Sequence, residues 1–174
     1  RVVGVCFVAA VFTWGFGVFG SSVYLSEITR AHVWSTSIVS AAITVFFLTN
    51  AIVLPAINAG ISRFGPRYVI SGGALLLGAG IVAVGRLEEL WQLFAAFACM
   101  GVGYATMSVA GLSATIAPWF ERHQGRSITL ALTGASVGAM VVVPLLVMAI
   151  ARWGFAEATM LSALLVVVFM LPLS

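Results

Sequence analysis

Residues 13–25 read TWGFGVFGSSVYL. Gly15, Gly17 and Gly20 fall in the order G-x-G-x-x-G, the spacing that lets a dinucleotide-binding backbone approach a pyrophosphate. That use needs a strand before the glycines, a helix opening at them, and an acid about 20 residues on for the ribose. Here the glycines lie inside a charge-free run, Val2 to Ser26, and after Glu27 no acid follows until Glu88. The competing use of glycine is to let two helices approach closely in lipid. A third use combines features of both. Thr13, Gly17, Gly20 and Tyr24 are spaced so that they share one helical face. They would draw a small, hydroxyl-bearing stripe along a membrane helix.

Composition decides for the membrane. The chain is 62% hydrophobic and 7% charged, and its mean hydropathy is +1.17. A globular domain carries about 25% charged residues, enough to cover its surface. This chain has too few charges for that, whereas a polytopic bundle has lipid as its solvent. The net charge of +3 comes from arginines scattered singly or in pairs with no basic run, so no nucleic-acid partner is expected. Cys6 and Cys99 lie in apolar stretches without a close partner, so they read as small core residues and not as a metal or disulfide framework. No metal, cofactor or catalytic group is expected. An integral membrane enzyme would keep intramembrane His, Asp, Glu or Cys clusters for its chemistry, and none is present.

The ionisable residues divide the chain into six charge-free runs: Val2–Ser26, Val33–Ser62, Tyr68–Gly85, Leu90–Phe120, Ser127–Ala151 and Ala158–Ser174. Each approaches or exceeds the roughly 18–20 residues that span hydrocarbon. We expect an all-α membrane protein with helices at about 2–26, 35–59, 68–85, 91–117, 127–151 and 158–174, called helices 1 to 6 here. An N-terminus on the cytoplasmic side puts Arg1, Arg63, Arg67, Arg122 and Arg126 inside and Arg30, Arg86 and Arg152 outside, as the positive-inside rule prefers. The chain starts at Arg1 without a methionine and stops at Ser174 just after an apolar run. The expectation is therefore a piece of a longer protein in a plasma or bacterial inner membrane.

Shifting the sequence by 86 places Gly15 on Gly101, Gly17 on Gly103 and Ser22 on Ser108, which suggests two three-helix units. A 3+3 inverted repeat is a common construction among secondary transporters. Helix 4 repeats the stripe with Gly101, Tyr104, Ser108, Gly111 and Thr115. Helix 5 carries Thr129, Thr133 and Ser136, and helix 2 carries Ser37, Ser40 and Thr44. Helices 3 and 6 are nearly all aliphatic and glycine. The pattern predicts a polar cavity lined by helices 1, 2, 4 and 5, with Thr13, Gly17, Gly20, Tyr24, Thr44, Tyr104, Ser108 and Thr133 as its candidate residues. The plain alternative for each hydroxyl is a bond to a carbonyl of its own helix one turn back.

The loops carry a family resemblance. Residues 58–67, NAGISRFGPR, are similar to the G-x-x-x-D-R-x-G-R-R signature of the major facilitator superfamily, with Arg63, Gly65 and Arg67 in place. Asn58, Ser62 and Pro66 depart from it. Residues 118–127, PWFERHQGRS, followed by LALTGASVG, resemble the monocarboxylate and oxalate/formate porter branch, as does the RWGF before helix 6. The resemblance spans the chain and corresponds to the N-terminal six-helix half of a twelve-helix transporter. It implies that Arg63, Gly65 and Arg67 belong to a conformational lock and that Arg122 and Arg126 occupy the cytoplasmic helix 4–5 loop. The same arginines also serve as topology determinants.

The expected function is secondary active transport of a small organic anion, monocarboxylate-like, by alternating access, with proton coupling left open. The partners are then a small-molecule substrate, the lipid bilayer and the C-terminal half of the same chain. Two alternatives stand beside it: a superfamily transporter of a neutral or drug-like substrate, and a six-helix membrane protein that dimerises.

Overall fold

A computed structural model of the chain describes residues 2–31, 34–109, 111, 113 and 124–173. Arg122 and Thr115 lie outside the described residues. Among those described there are helices and no strand. The first helix, α1, runs through Val2–Phe12, a wider π-helical stretch Thr13–Phe19, and Gly20–Ala31. Then come α2 (Thr36–Phe64), α3 (Pro66–Val84) and α4 (Leu90–Met107). The fifth, α5, joins Gln124–Val137, a second π-helical stretch Gly138–Val142, and Val143–Trp153, and α6 covers Phe155–Leu173. Five of these helices are long and apolar enough to cross a membrane by length and composition, and α6 adds a shorter apolar stretch, Phe155–Met170.

Local chemistry explains the boundaries. Gly65 alone separates α2 from α3, with φ 85° and ψ 157°, and its N–H returns to the Ile61 carbonyl at 3.0 Å. Only glycine holds that backbone region without strain. Pro66 then opens α3 at a position where a missing N–H costs nothing. Gly154 repeats the device between α5 and α6, with φ 94°, ψ 166° and its N–H on Ile150 O at 2.9 Å. The two turns share a sequence form, Arg63-Phe64-Gly65 and Arg152-Trp153-Gly154. At α4 a reciprocal cap closes the first turn: the Glu89 side chain accepts from the Gln92 backbone, and Gln92 Oε1 accepts from the Glu89 N–H.

The helices pair in a definite order. α1 lies along α5, α4 lies against both α2 and α3, and α3 and α5 each pack on α6. α1 touches α4 near its middle. Tyr24, Phe46, Leu77, Phe97, Met100 and Met107 are fully buried where these seams meet. Large apolar side chains face outward on α2 (Phe47, Leu48, Ile52), α5 (Met140, Leu145, Met148) and α6 (Leu164, Val168, Phe169). Such continuous apolar faces suit lipid or another membrane helix and not water.

Candidate functional site

The stretch that opened the sequence is the centre of the bundle. Thr13, Gly15, Gly17, Gly20 and Tyr24 are all buried. Each glycine meets a different neighbour. A methyl group on Gly15 would stand 2.7 Å from Val142 Cβ on α5. One on Gly17 would stand 3.2 Å from the Tyr104 ring on α4 and 3.6 Å from Phe46 on α2. One on Gly20 would meet the Gly15 carbonyl at 3.1 Å and the Tyr24 hydroxyl at 3.3 Å. Gly15 and Gly17 therefore permit close approach of neighbouring helices, whereas Gly20 faces α1's own backbone and Tyr24.

α1 and α4 meet around Thr13, Trp14 and Gly17. Thr13 Oγ1 donates to Met107 Sδ at 3.3 Å, and Tyr104 covers Gly17. Around Tyr104 stand Trp14, edge-on with centroids 6.1 Å apart, and Phe46 at 5.2 Å. Of the sequence-predicted residues, Thr13, Gly17 and Tyr104 are thus brought together. Tyr24 lies two turns along α1 from Gly17, with its ring edge-on to Phe155 of α6 at 6.3 Å.

Ser108 has a distinct role. It leaves helical geometry, with ψ 171°, where α4 ends. Its hydroxyl donates to Ala105 O at 2.9 Å and accepts the Gly111 N–H at 3.4 Å, as an N-cap residue does. Helix 4, expected as one piece over 91–117, is therefore interrupted at Ser108. Thr44 is exposed, and its hydroxyl returns to Ser40 O at 3.1 Å. Thr133 is also exposed and makes an interaction of its own.

Sequence reasoning missed Trp14. Among the described residues, its Nε1, the Tyr24 hydroxyl and Asn50 Oδ1 are buried side-chain atoms without a hydrogen-bond partner. A buried donor left unpaired costs about 1–3 kcal/mol. The available signal was position: tryptophan is enriched at membrane interfaces, and Trp14 lies in the middle of a charge-free run.

At the ends of the bundle, Arg63 and Arg67 are exposed beside the Gly65 turn, and the Arg63 guanidinium lies 5.5 Å from the Phe64 ring centre. Arg126 falls in the first turn of α5. No set of three metal-ligating side chains occurs among the described residues.

The profile of the Major Facilitator Superfamily matches residues 5–174. The chain belongs to the major facilitator superfamily. It is 28% identical over 113 residues to the MFS transporter asaE of Aspergillus flavus, covering 64% of this chain and 25% of that protein. It is 22% identical over 138 residues to the uncharacterized MFS-type transporter YcxA of Bacillus subtilis, covering 79% of this chain and 34% of that protein. The chain spans about a quarter to a third of the length of these curated relatives. Superfamily membership and the apolar helices make it a multi-pass membrane protein of a transporter family, a class that is generally non-enzymatic.

Proposed function

We propose that this superfamily chain forms one half of a secondary active transporter for a small organic anion, working by alternating access. The observation that carries the reading is the buried Trp14 indole N–H on α1, which has no hydrogen-bond partner among the described residues. Tyr104 stands against it. A carboxylate is an acceptor-only group with room for several donors, so this N–H offers it one. Thr13, Gly17, Gly20, Tyr24, Thr44, Tyr104, Ser108 and Thr133 remain the proposed cavity set. Within it, Gly17 and Tyr104 form the floor, and Ser108 shapes α4 around the floor.

The likeness to the monocarboxylate and oxalate/formate branch supports the substrate class. The exchanged helix pairing (α1 on α5, α4 on α2) and the two matched glycine turns support a 3+3 inverted repeat. In this reading the N-terminus is cytoplasmic, Arg63, Gly65 and Arg67 hold the inner end in one conformation, and Arg122 and Arg126 flank it. The substrate's counter-charge and any proton carrier lie in the other half of the transporter.

Uptake of labelled lactate, oxalate or formate by liposomes carrying the full-length protein tests this. Saturable uptake that Trp14→Phe weakens supports the reading. No saturable uptake of any carboxylate, with uptake of a neutral solute instead, replaces it with the neutral-substrate alternative.

A further inference from the structure

We infer that the groove between the C-terminal turns of α1 and α5 is a recognition site for a small carboxylate, with Arg30 as its cation and Glu27 as an internal competitor. This rests on the organic-anion reading but concerns residues outside the cavity set.

The groove encloses about 410 Å³ and is lined by Ser22, Ser26, Glu27 and Arg30 of α1 and by Val147 and Ile150 of α5. That volume suits a small solute, since ligand pockets run from about 300 to 1,000 Å³. Ser22, Ser26 and Arg30 recur every fourth residue, so one face of α1 supplies the polar wall. The contrast with the larger groove between α3 and α6, about 580 Å³, is chemical. Leu75, Val82, Leu161 and Leu164 make that one apolar, and it suits an acyl chain.

Arg30 is available for a ligand. Among the described residues it pairs with Glu27 Oε1 at 3.4 Å, well beyond the roughly 2.7–2.9 Å of a strong charge-assisted bond. The guanidinium carries five donors, and its side chain is 80% exposed whereas that of Glu27 is 22% exposed. The serine protons are already committed, Ser22 to Phe19 O at 2.8 Å and Ser26 to Val23 O at 3.1 Å. The serines therefore offer lone pairs to a solute hydroxyl or to water, and Arg30 alone serves the carboxylate.

The electrostatics decide how much depends on Arg30. Both helices end at the groove, and each C-terminus presents about half a negative charge. Those ends repel an anion, as does Glu27. Arg152, in the last turn of α5, offsets its own helix end. Removing Arg30 therefore leaves a groove that excludes carboxylates, and removing the Glu27 charge frees Arg30.

Fluorine NMR line broadening of trifluoroacetate by the full chain in detergent is the test. Wild type should broaden the line, Arg30→Gln should weaken binding at least roughly tenfold, and Glu27→Gln should tighten it by roughly threefold. Arg30→Lys should retain part of the binding and Arg86→Gln, outside the groove lining, all of it. Broadening by Arg30→Gln equal to wild type, weaker binding by Glu27→Gln, or loss in Arg86→Gln overturns the site. Liposome uptake separates the two claims. Arg30-dependent binding without carboxylate uptake sinks the transport reading and leaves the site standing. Carboxylate uptake with unchanged half-saturation in Arg30→Gln sinks the site and leaves the transport reading standing.

Discussion

The α3–α4 seam and the α1–α5 seam both use glycine, but in different ways. In α3–α4 both helices stay α-helical, and backbone lies on backbone. A methyl group on Gly103 would stand 2.5 Å from the Leu77 nitrogen and 2.7 Å from the Gly73 carbonyl. In α1–α5 both helices open into π-helical turns where they cross, at Thr13–Phe19 and Gly138–Val142. Backbone approaches backbone here as well, Gly134 at the Phe7 carbonyl and Gly138 at the Val11 carbonyl, whereas Gly15 faces the Val142 side chain. Single π-turns inside α-helices occur often at functional sites. The first seam is α-helical throughout. The second is interrupted by π-helical turns, and the Trp14 donor and the Arg30 groove lie along it.

Four substitutions would break or sharpen that contrast. Gly103→Ala has no side chain to push aside, so it should lower stability in detergent by about 3 kcal/mol, the upper end for overpacking. Thermal unfolding would show a clear fall in midpoint, and no second-site change of a side chain should restore it. Gly15→Ala should cost about 1–2 kcal/mol, because Val142 is a side chain in a segment that can adjust. Adding Val142→Ala should recover most of that loss. Gly17→Ala meets the Tyr104 ring at a milder 3.2 Å. It should cost about 0.5–1 kcal/mol in stability, less than a full overpacking penalty, and raise the half-saturation of uptake more than it lowers the melting point. Gly72→Ala faces open space, so it should be neutral or stabilising by up to about 1 kcal/mol through helix propensity. If Gly15→Ala were as harmful as Gly103→Ala and Val142→Ala did not relieve it, the distinction between the seams would fail.

The helices were legible because arginine and glutamate cannot sit in hydrocarbon without penalty, so the charges mark the ends. The Gly65 turn was legible from Gly-Pro alone. The partners of Gly15, Gly17 and Gly20 were not. Spacings of 4, 3 and 4 assume 3.6 residues per turn, and a π-helical stretch from Thr13 to Phe19 changes the angular advance. The hydroxyl stripes were ambiguous for another reason. Thr44 and Thr129 return their protons to their own helices, at 3.1 Å and 2.9 Å, and no sequence pattern separates that arrangement from a cavity-facing hydroxyl. Ser108 looked like one more stripe member, although its bond to the Gly111 N–H makes it a helix cap.

The most direct test concerns water. The account holds that the Trp14 side of α1 adjoins a solute space, whereas the outer face of α6 adjoins lipid. With Cys6 and Cys99 replaced by alanine, single cysteines at Trp14 and at Val168 can be challenged in vesicles with a small water-soluble thiol reagent. The account predicts that Trp14→Cys reacts, that lactate slows the reaction, and that Val168→Cys stays inert. Rapid labelling of Val168→Cys with an inert Trp14→Cys would contradict it.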